Sequence, residues 1–92
     1  MGLEEIKNKS VPLANKYGLK NMSIFGSYAS GEHSENSDID FLVEFFDVPS
    51  ILKVMGLREE LRRALKKEVD VVTLPLARPG KLSIGKSVRI YG

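Results

Sequence analysis

Cysteine and tryptophan are absent from this chain of 92 residues, and histidine occurs only once. The lack of cysteine excludes a disulfide framework, a thiolate zinc site and thiol redox chemistry. No apolar run approaches the length of a membrane span, and the first residues lack the apolar core of a signal peptide. We therefore expect a cytoplasmic protein.

A large excess of charge of one sign is also missing, because the formal net charge is only +2. So small a charge argues against general binding of nucleic acid. Hydrophobic residues make up 42% of the chain and charged residues 28%, which is typical of an ordinary globular protein. The length predicts a single domain, residues 1–92, with one modest core.

Apolar spacing along the chain predicts alternating helices and strands. Residues 3–17 have helical spacing that Pro12 interrupts, which indicates either a kink or two short helices with Ser10 as the cap of the second. The elements predicted after it are a strand over 19–25, a short helix over 27–31, a strand over 38–46, a helix from 51 to about 67, a strand over 68–74, a turn over 76–80, one helical turn over 81–87 and an edge strand over 88–91.

The helix predicted from residue 51 has an apolar stripe formed by Ile51, Leu52, Met55, Leu57, Leu61 and Leu65. Arginine and lysine residues between 58 and 67 are expected on its exposed side. The order of the elements favours an α/β or α+β fold, a small mixed sheet with helices packed on one face.

Two carboxylates, Asp38 and Asp40, lie two residues apart at the start of the second predicted strand, so they share a face. Adjacent carboxylates repel each other unless a cation lies between them. Asp70 is a single charge within a valine-rich strand, and all three carboxylates converge if the second and third strands are neighbours. Oxygen ligands without histidine or cysteine suit Mg²⁺ or Mn²⁺. A salt bridge from Asp70 to the preceding helix explains that residue equally well.

A Gly26–Ser27 turn follows the first predicted strand and begins the short helix. Backbone N–H groups and the positive end of a helix are suited to binding phosphate. The turn and the carboxylates together indicate a site for a nucleoside triphosphate. Ser27 is predicted to bind phosphate or cap the helix, since no base lies beside it, and His33 is predicted to be solvated.

The spacing from Gly26-Ser27 to Asp38-Ile-Asp40 resembles the signature of the DNA polymerase beta-like nucleotidyltransferase superfamily. Residues 25–32, 37–43 and 69–73 resemble, more narrowly, the minimal nucleotidyltransferases of prokaryotes, and the resemblance extends over nearly the whole chain. It implies a nucleotidyltransferase fold in which Gly26 and Ser27 contact the triphosphate. It also implies that Asp38, Asp40 and Asp70 are the catalytic residues and hold two Mg²⁺ ions.

The same resemblance implies a substrate and a partner. Many members act as antitoxins of a small helical HEPN-domain protein, and some transfer AMP from ATP onto a tyrosine of that toxin. We therefore expect a metal-dependent nucleotidyltransferase that moves AMP from ATP onto a hydroxyl group of a HEPN-type partner. Whether the chain also forms a homo-oligomer is left open. A non-catalytic antitoxin that occludes its partner is the alternative, and a structural Mg²⁺-binding domain is a third.

Ser30 departs from the family pattern, whose commonest form has arginine at this position. A cation near the triphosphate stabilises the charge of the transition state. Serine there predicts weaker activity, a substitute cation from residues 58–67, or lost activity.

Overall fold

The computed structural model describes residues 2–74 and 86–92. Within them the chain forms three helices and four strands: α1 Leu3–Lys16, β1 Leu19–Phe25, α2 Ser27–Ser30, β2 Ile39–Phe45, α3 Ile51–Leu65, β3 Val69–Leu74 and β4 Ser87–Tyr91. The predicted turn over 76–80 lies outside the described residues. So do residues 81–85 of the helical turn predicted over 81–87. Ser87, which was assigned to that turn, is the first residue of β4.

The four strands form one mixed sheet in the order β3-β2-β1-β4. β1 pairs antiparallel with β2 and with β4, whereas β2 and β3 are parallel, with α3 as the crossover between them. This arrangement confirms the predicted fold class. It also makes the second and third strands neighbours, which is the condition under which the three carboxylates were expected to converge. In the part of the chain that the structure describes, no helix has the length and apolarity needed to cross a membrane.

The core lies between the sheet and the two long helices, which pack against each other. Alternating side chains of β2 point into it, because successive residues of a strand face opposite sides. Ile6 and Ala14 of α1 are completely buried, as are the α3 residues Leu57 and Leu61. The other buried apolar side chains include Met22, Ile24, Ile39, Phe41, Val43, Leu65 and Val69.

Of the two alternatives at Pro12, a kink or two short helices, the second is wrong, because α1 is a single helix through that residue. Ser10 is not a cap: it is buried inside the helix, and its hydroxyl has no hydrogen-bond partner among the described residues. Proline removes one helical hydrogen bond. Burial of Ile6 and Ala14 on the same face of the helix outweighs that loss.

The predicted stripe of α3 is correct for only half of its length. Leu57, Leu61 and Leu65 are buried, but Ile51, Leu52 and Met55 are exposed. The helix also ends at Leu65 rather than near 67, because Lys66 adopts a left-handed conformation with φ 56° and its N–H bonds to the Arg62 carbonyl at 2.8 Å. Glycine usually occupies such a position, so no sequence signal marks this helix end.

Candidate active site

The turn between β1 and α2 depends on Gly26, which has φ 75° and ψ −149°. Residues with a Cβ rarely adopt a positive φ, so glycine is needed here. The Gly26 carbonyl accepts hydrogen bonds from the N–H groups of Ala29 and Ser30, both at 3.1 Å. Ser27 and Tyr28 provide the first two N–H groups of α2, which have no partner within the helix. Of these, the N–H group of Ser27 belongs to the pair, Gly26 and Ser27, that is predicted to contact the triphosphate.

Gly26 also lies against the carboxylate of Asp40. A Cβ placed on residue 26 would overlap Oδ2 of Asp40 and come 3.3 Å from its Cγ. Phe25, which precedes the turn, pairs with Asp40 in the antiparallel register of β1 and β2. The absence of a side chain at residue 26 therefore creates the space that the carboxylate occupies.

Asp70 is the direct neighbour of Asp40 in the parallel pairing of β2 and β3. Paired residues of adjacent strands project from the same face of a sheet, so the two carboxylates lie side by side. Asp38 lies outside the strand, since β2 begins at Ile39 rather than at 38. The structure therefore fixes two of the three predicted carboxylates through backbone pairing, and the third lies in the loop that precedes β2.

The carboxylates influence one another electrostatically. Partial burial raises the pKa of Asp40, and the negative charges of Asp70 and then of Asp38 raise it further. All three causes disfavour the ionised form of Asp40. A cation bound among these groups would remove that penalty.

Asp70 does not have the environment that its sequence suggested. Its side chain is exposed, so the carboxylate is not buried within the valine-rich sheet. The alternative of a salt bridge to α3 is not supported either, because no ion pair in the described residues includes Asp70. Arg58 of α3 instead donates a hydrogen bond from Nε to the Val69 carbonyl at 3.1 Å.

The residues fit a hard divalent cation in their chemistry but do not form a closed metal site. Within residues 2–74 and 86–92, no group of three or more histidine, cysteine, aspartate or glutamate side chains is arranged to hold a metal ion. Asp38 is exposed in a loop, where no backbone pairing holds it beside Asp40 and Asp70. Oxygen ligands at the paired positions are those that Mg²⁺ and Mn²⁺ prefer.

His33 is a residue that the sequence prediction misjudged. Its ring stacks on Tyr28 with centroids 4.1 Å apart and planes 8° apart, and its Nδ1 is buried without a partner among the described residues. Lys67 donates a hydrogen bond to the carbonyl of Glu35. These residues and Ser34 line a cavity of about 440 Å³. The presence of an aromatic residue in α2 five positions before the histidine was the only available signal.

The polymerase beta nucleotidyltransferase family matches residues 7–86 of the chain. A Methanocaldococcus jannaschii protein, named as a candidate protein adenylyltransferase, is 52% identical over 73 residues, which cover 79% of this chain and 78% of that protein. The protein adenylyltransferase MntA of Thermococcus cleftensis is 40% identical over 74 residues, covering 76% of this chain and 75% of the relative.

Solved structures share the fold. The crystal structure of a toxin–antitoxin with AMP-PNP superimposes with a TM-score of 0.83 at 29% identity, over 94% of this chain and 73% of the other. The antitoxin complex of a tri-AMPylated HEPN toxin from Shewanella oneidensis gives a TM-score of 0.76 at 25% identity, over 97% and 71% of the two chains. From the extent of the family match and the identity to these relatives, the chain belongs to the polymerase beta nucleotidyltransferase family and is an enzyme of the minimal nucleotidyltransferase type.

Proposed function

We propose that this enzyme transfers AMP from ATP onto a hydroxyl group of a HEPN-type helical partner protein and thereby acts as the antitoxin of a toxin–antitoxin pair. The observation that supports it most strongly is the pairing of Asp40 with Asp70 beside the Gly26 turn. Relatives named as protein adenylyltransferases support the reaction. The antitoxin complex of an AMPylated HEPN toxin supports the acceptor.

In this proposal Asp38, Asp40 and Asp70 hold divalent cations, two Mg²⁺ ions with Mn²⁺ as a substitute. Bound cations would supply positive charge to the phosphate oxygens and lower the pKa of the acceptor hydroxyl. The N–H groups at Gly26 and Ser27 contact the triphosphate and orient it. Asp70, the more exposed member of the pair, accepts the proton of the acceptor hydroxyl as that oxygen attacks the α-phosphorus and pyrophosphate leaves.

Labelling of the purified partner with α-labelled ATP tests the proposal. The wild-type protein should label its partner, and Asp38→Asn combined with Asp40→Asn should abolish labelling. Glu4→Gln combined with Glu5→Gln is the matched control, because it also removes two exposed carboxylates, at the start of α1. The control should label as well as the wild type.

The same double variant distinguishes transfer from occlusion. Occlusion is favoured by one observation, the serine at position 30 in place of a cation. If occlusion alone silences the partner, the variant with both asparagines will bind and inhibit it with unchanged affinity. The wild-type protein will then not label the partner at any concentration of ATP and Mg²⁺. That result would refute the transferase proposal for this pair and leave the fold unaffected.

A further inference from the structure

Five large apolar side chains are exposed where β2 ends and α3 begins. Their exposed fractions are 73% for Phe46, 94% for Val48, 75% for Ile51, 78% for Leu52 and 59% for Met55. We call these five residues the apolar patch. Single exposed apolar residues are common on protein surfaces, but a group of them marks an interaction site.

The apolar patch is continuous along the chain and around the first turns of α3. Met55 follows Ile51 by four residues and Leu52 by three, so the three side chains are neighbours on one face of the helix. The Ser50 side chain caps the helix by accepting a hydrogen bond from the Lys53 N–H at 3.2 Å. The cap fixes where α3 begins and therefore which side chains its first turn presents to solvent.

A groove of about 520 Å³ adjoins the patch. Phe45, Val54 and Leu74 line it, together with Phe46, Val48 and Ile51 of the patch itself. The surface therefore combines protruding apolar side chains with an apolar recess that can receive one. Interfaces concentrate their binding energy where an anchor side chain fills such a recess.

The size of the patch matches one half of a stable interface. Its five residues expose on the order of 700 Å² of surface, estimated from their exposed fractions, which is close to the roughly 800 Å² that each partner buries in an interface of standard size. The largest apolar patch on a typical monomer is about 300–600 Å². A patch of this size is therefore larger than a free monomer usually exposes.

We propose that the apolar patch binds a second copy of this chain and forms a twofold-symmetric dimer. A twofold interface uses the same surface on both subunits, so a protrusion or a charge on it must meet a recess or an opposite charge of that same surface. Asp47 and Lys53 supply one charge of each sign beside the patch. Neither has an ion-pair partner among the described residues.

The dimer leaves the candidate active site accessible. Phe46 lies six residues beyond Asp40, and a strand rises about 3.4 Å per residue, which separates the two ends by about 20 Å. A second copy bound at the patch covers neither Gly26 nor the paired carboxylates. The proposal is thus independent of the proposed function, since it concerns the opposite end of β2.

Sedimentation velocity over a range of concentrations tests the proposal on the full chain. The wild-type protein should be a dimer, and Leu52→Lys should raise the dissociation constant by at least about tenfold with an unchanged circular dichroism spectrum. Asn8→Lys, which adds the same charge at an exposed position of α1, should leave the dissociation constant unchanged. A wild-type protein that is monomeric at about 100 μM, far above the Kd of a stable dimer, would refute the proposal.

The absence of cysteine offers a second test that does not depend on loss of binding. In a twofold dimer, residues near the axis lie beside their own copies, so at least one of Val48→Cys, Leu52→Cys and Met55→Cys should form a disulfide-linked dimer on mild oxidation. Asn8→Cys is the control and should remain a monomer on a non-reducing gel. If only the helical partner protein protects the patch cysteines from alkylation, the patch binds that partner and the dimer proposal is wrong.

Discussion

The two ends of β2 differ in what they expose. At the beginning of the strand Asp40 lies against Gly26 and Asp70, and partial burial together with the negative charges of Asp70 and Asp38 raises its pKa. Beyond the end of the strand Phe46 and Val48 extend into solvent. Between the two ends, Phe41 and Val43 are completely buried. One strand therefore has a stable middle and an unfavourable arrangement at each end.

Each unfavourable end indicates a different missing component. Paired carboxylates are stabilised by a cation, whereas an exposed apolar surface is stabilised by another apolar surface. Selection for stability alone favours neither arrangement, because surface charge optimisation and apolar-to-polar exchange are easily available. The two proposals place catalysis at the beginning of β2 and assembly at its end, and each end can be tested separately.

The largest effect is expected for Gly26→Ala. The added Cβ overlaps the Asp40 carboxylate and imposes strain at φ 75°, so labelling of the partner should fall by about a hundredfold or more, the usual consequence of moving a catalytic group by about 1 Å. Initial rates with saturating ATP measure it. Gly18→Ala is the control, because it has φ 66° but nothing within 4 Å of the new Cβ. Equal losses in both variants would mean that backbone strain, and not Asp40, causes the effect.

A gain is expected for Ser30→Arg. Ser30 is the last residue of α2 and is exposed, and its hydroxyl donates a 3.3 Å hydrogen bond to the Ser27 carbonyl. If charge near the triphosphate limits the reaction, a guanidinium here should raise kcat by about tenfold to a hundredfold. Ser34→Arg adds the same charge to the neighbouring loop and should change kcat less than twofold. An unchanged rate for Ser30→Arg would show that another group already supplies the positive charge.

Much of the site was predictable because short-range signals specify it. The Gly-Ser turn, the Asp-x-Asp pattern and the valine-rich strand each predict a local structure, and the parallel pairing of β2 and β3 follows from the helix between them. What the pairing does not specify is the loop before β2. All three aspartates stay predictions as metal ligands, and Asp38 is the one whose position no strand pairing fixes. The stacking of His33 on Tyr28 was missed.

The error in the predicted stripe of α3 has a physical cause, which is that helical spacing shows only that residues lie on one face. It does not show whether anything covers that face. Leu57 and Ile51 belong to the same predicted stripe, yet the first is buried and the second is exposed. Lys66 ends α3 through a backbone conformation that lysine seldom adopts, so its side chain gives no warning.

A smaller effect, on stability, is expected for Asp40→Asn. Because the folded protein raises the pKa of Asp40, ionisation of this group opposes folding once the pH exceeds the ordinary value of an aspartate. The unfolding free energy of the variant at pH 7 should therefore exceed that of the wild type, by less than about 1 kcal/mol, because Asp40 is only partly buried and solvent screens its charge. The difference should vanish below about pH 3, where the carboxyl is protonated in both states. Urea denaturation at both pH values measures it.

The same variant should lose the stabilisation that ATP with Mg²⁺ confers. A ligand at a hundredfold excess over its Kd adds about 2.7 kcal/mol to the wild-type protein. Asp40→Asn should show little of this increase, so the order of the two stabilities reverses when ligand is added. If the variant is instead less stable at pH 7 without ligand, Asp40 has a structural role and the proposed repulsion is wrong.

The smallest effect is expected when a residue of the apolar patch is substituted and labelling of the partner is measured. Leu52→Lys alters an exposed side chain in the first turn of α3, which follows the end of β2 opposite to the carboxylates, on a helix whose buried residues begin at Leu57. Labelling of the partner should therefore stay within about twofold of the wild type. Its unfolding free energy, compared at concentrations where both proteins are monomers, should differ by less than about 0.5 kcal/mol. If labelling falls while the Kd for ATP is unchanged, the partner rather than a second copy binds the apolar patch. If the Kd for ATP changes as well, the two ends of β2 are coupled through the strand, and the division between catalysis and assembly is wrong.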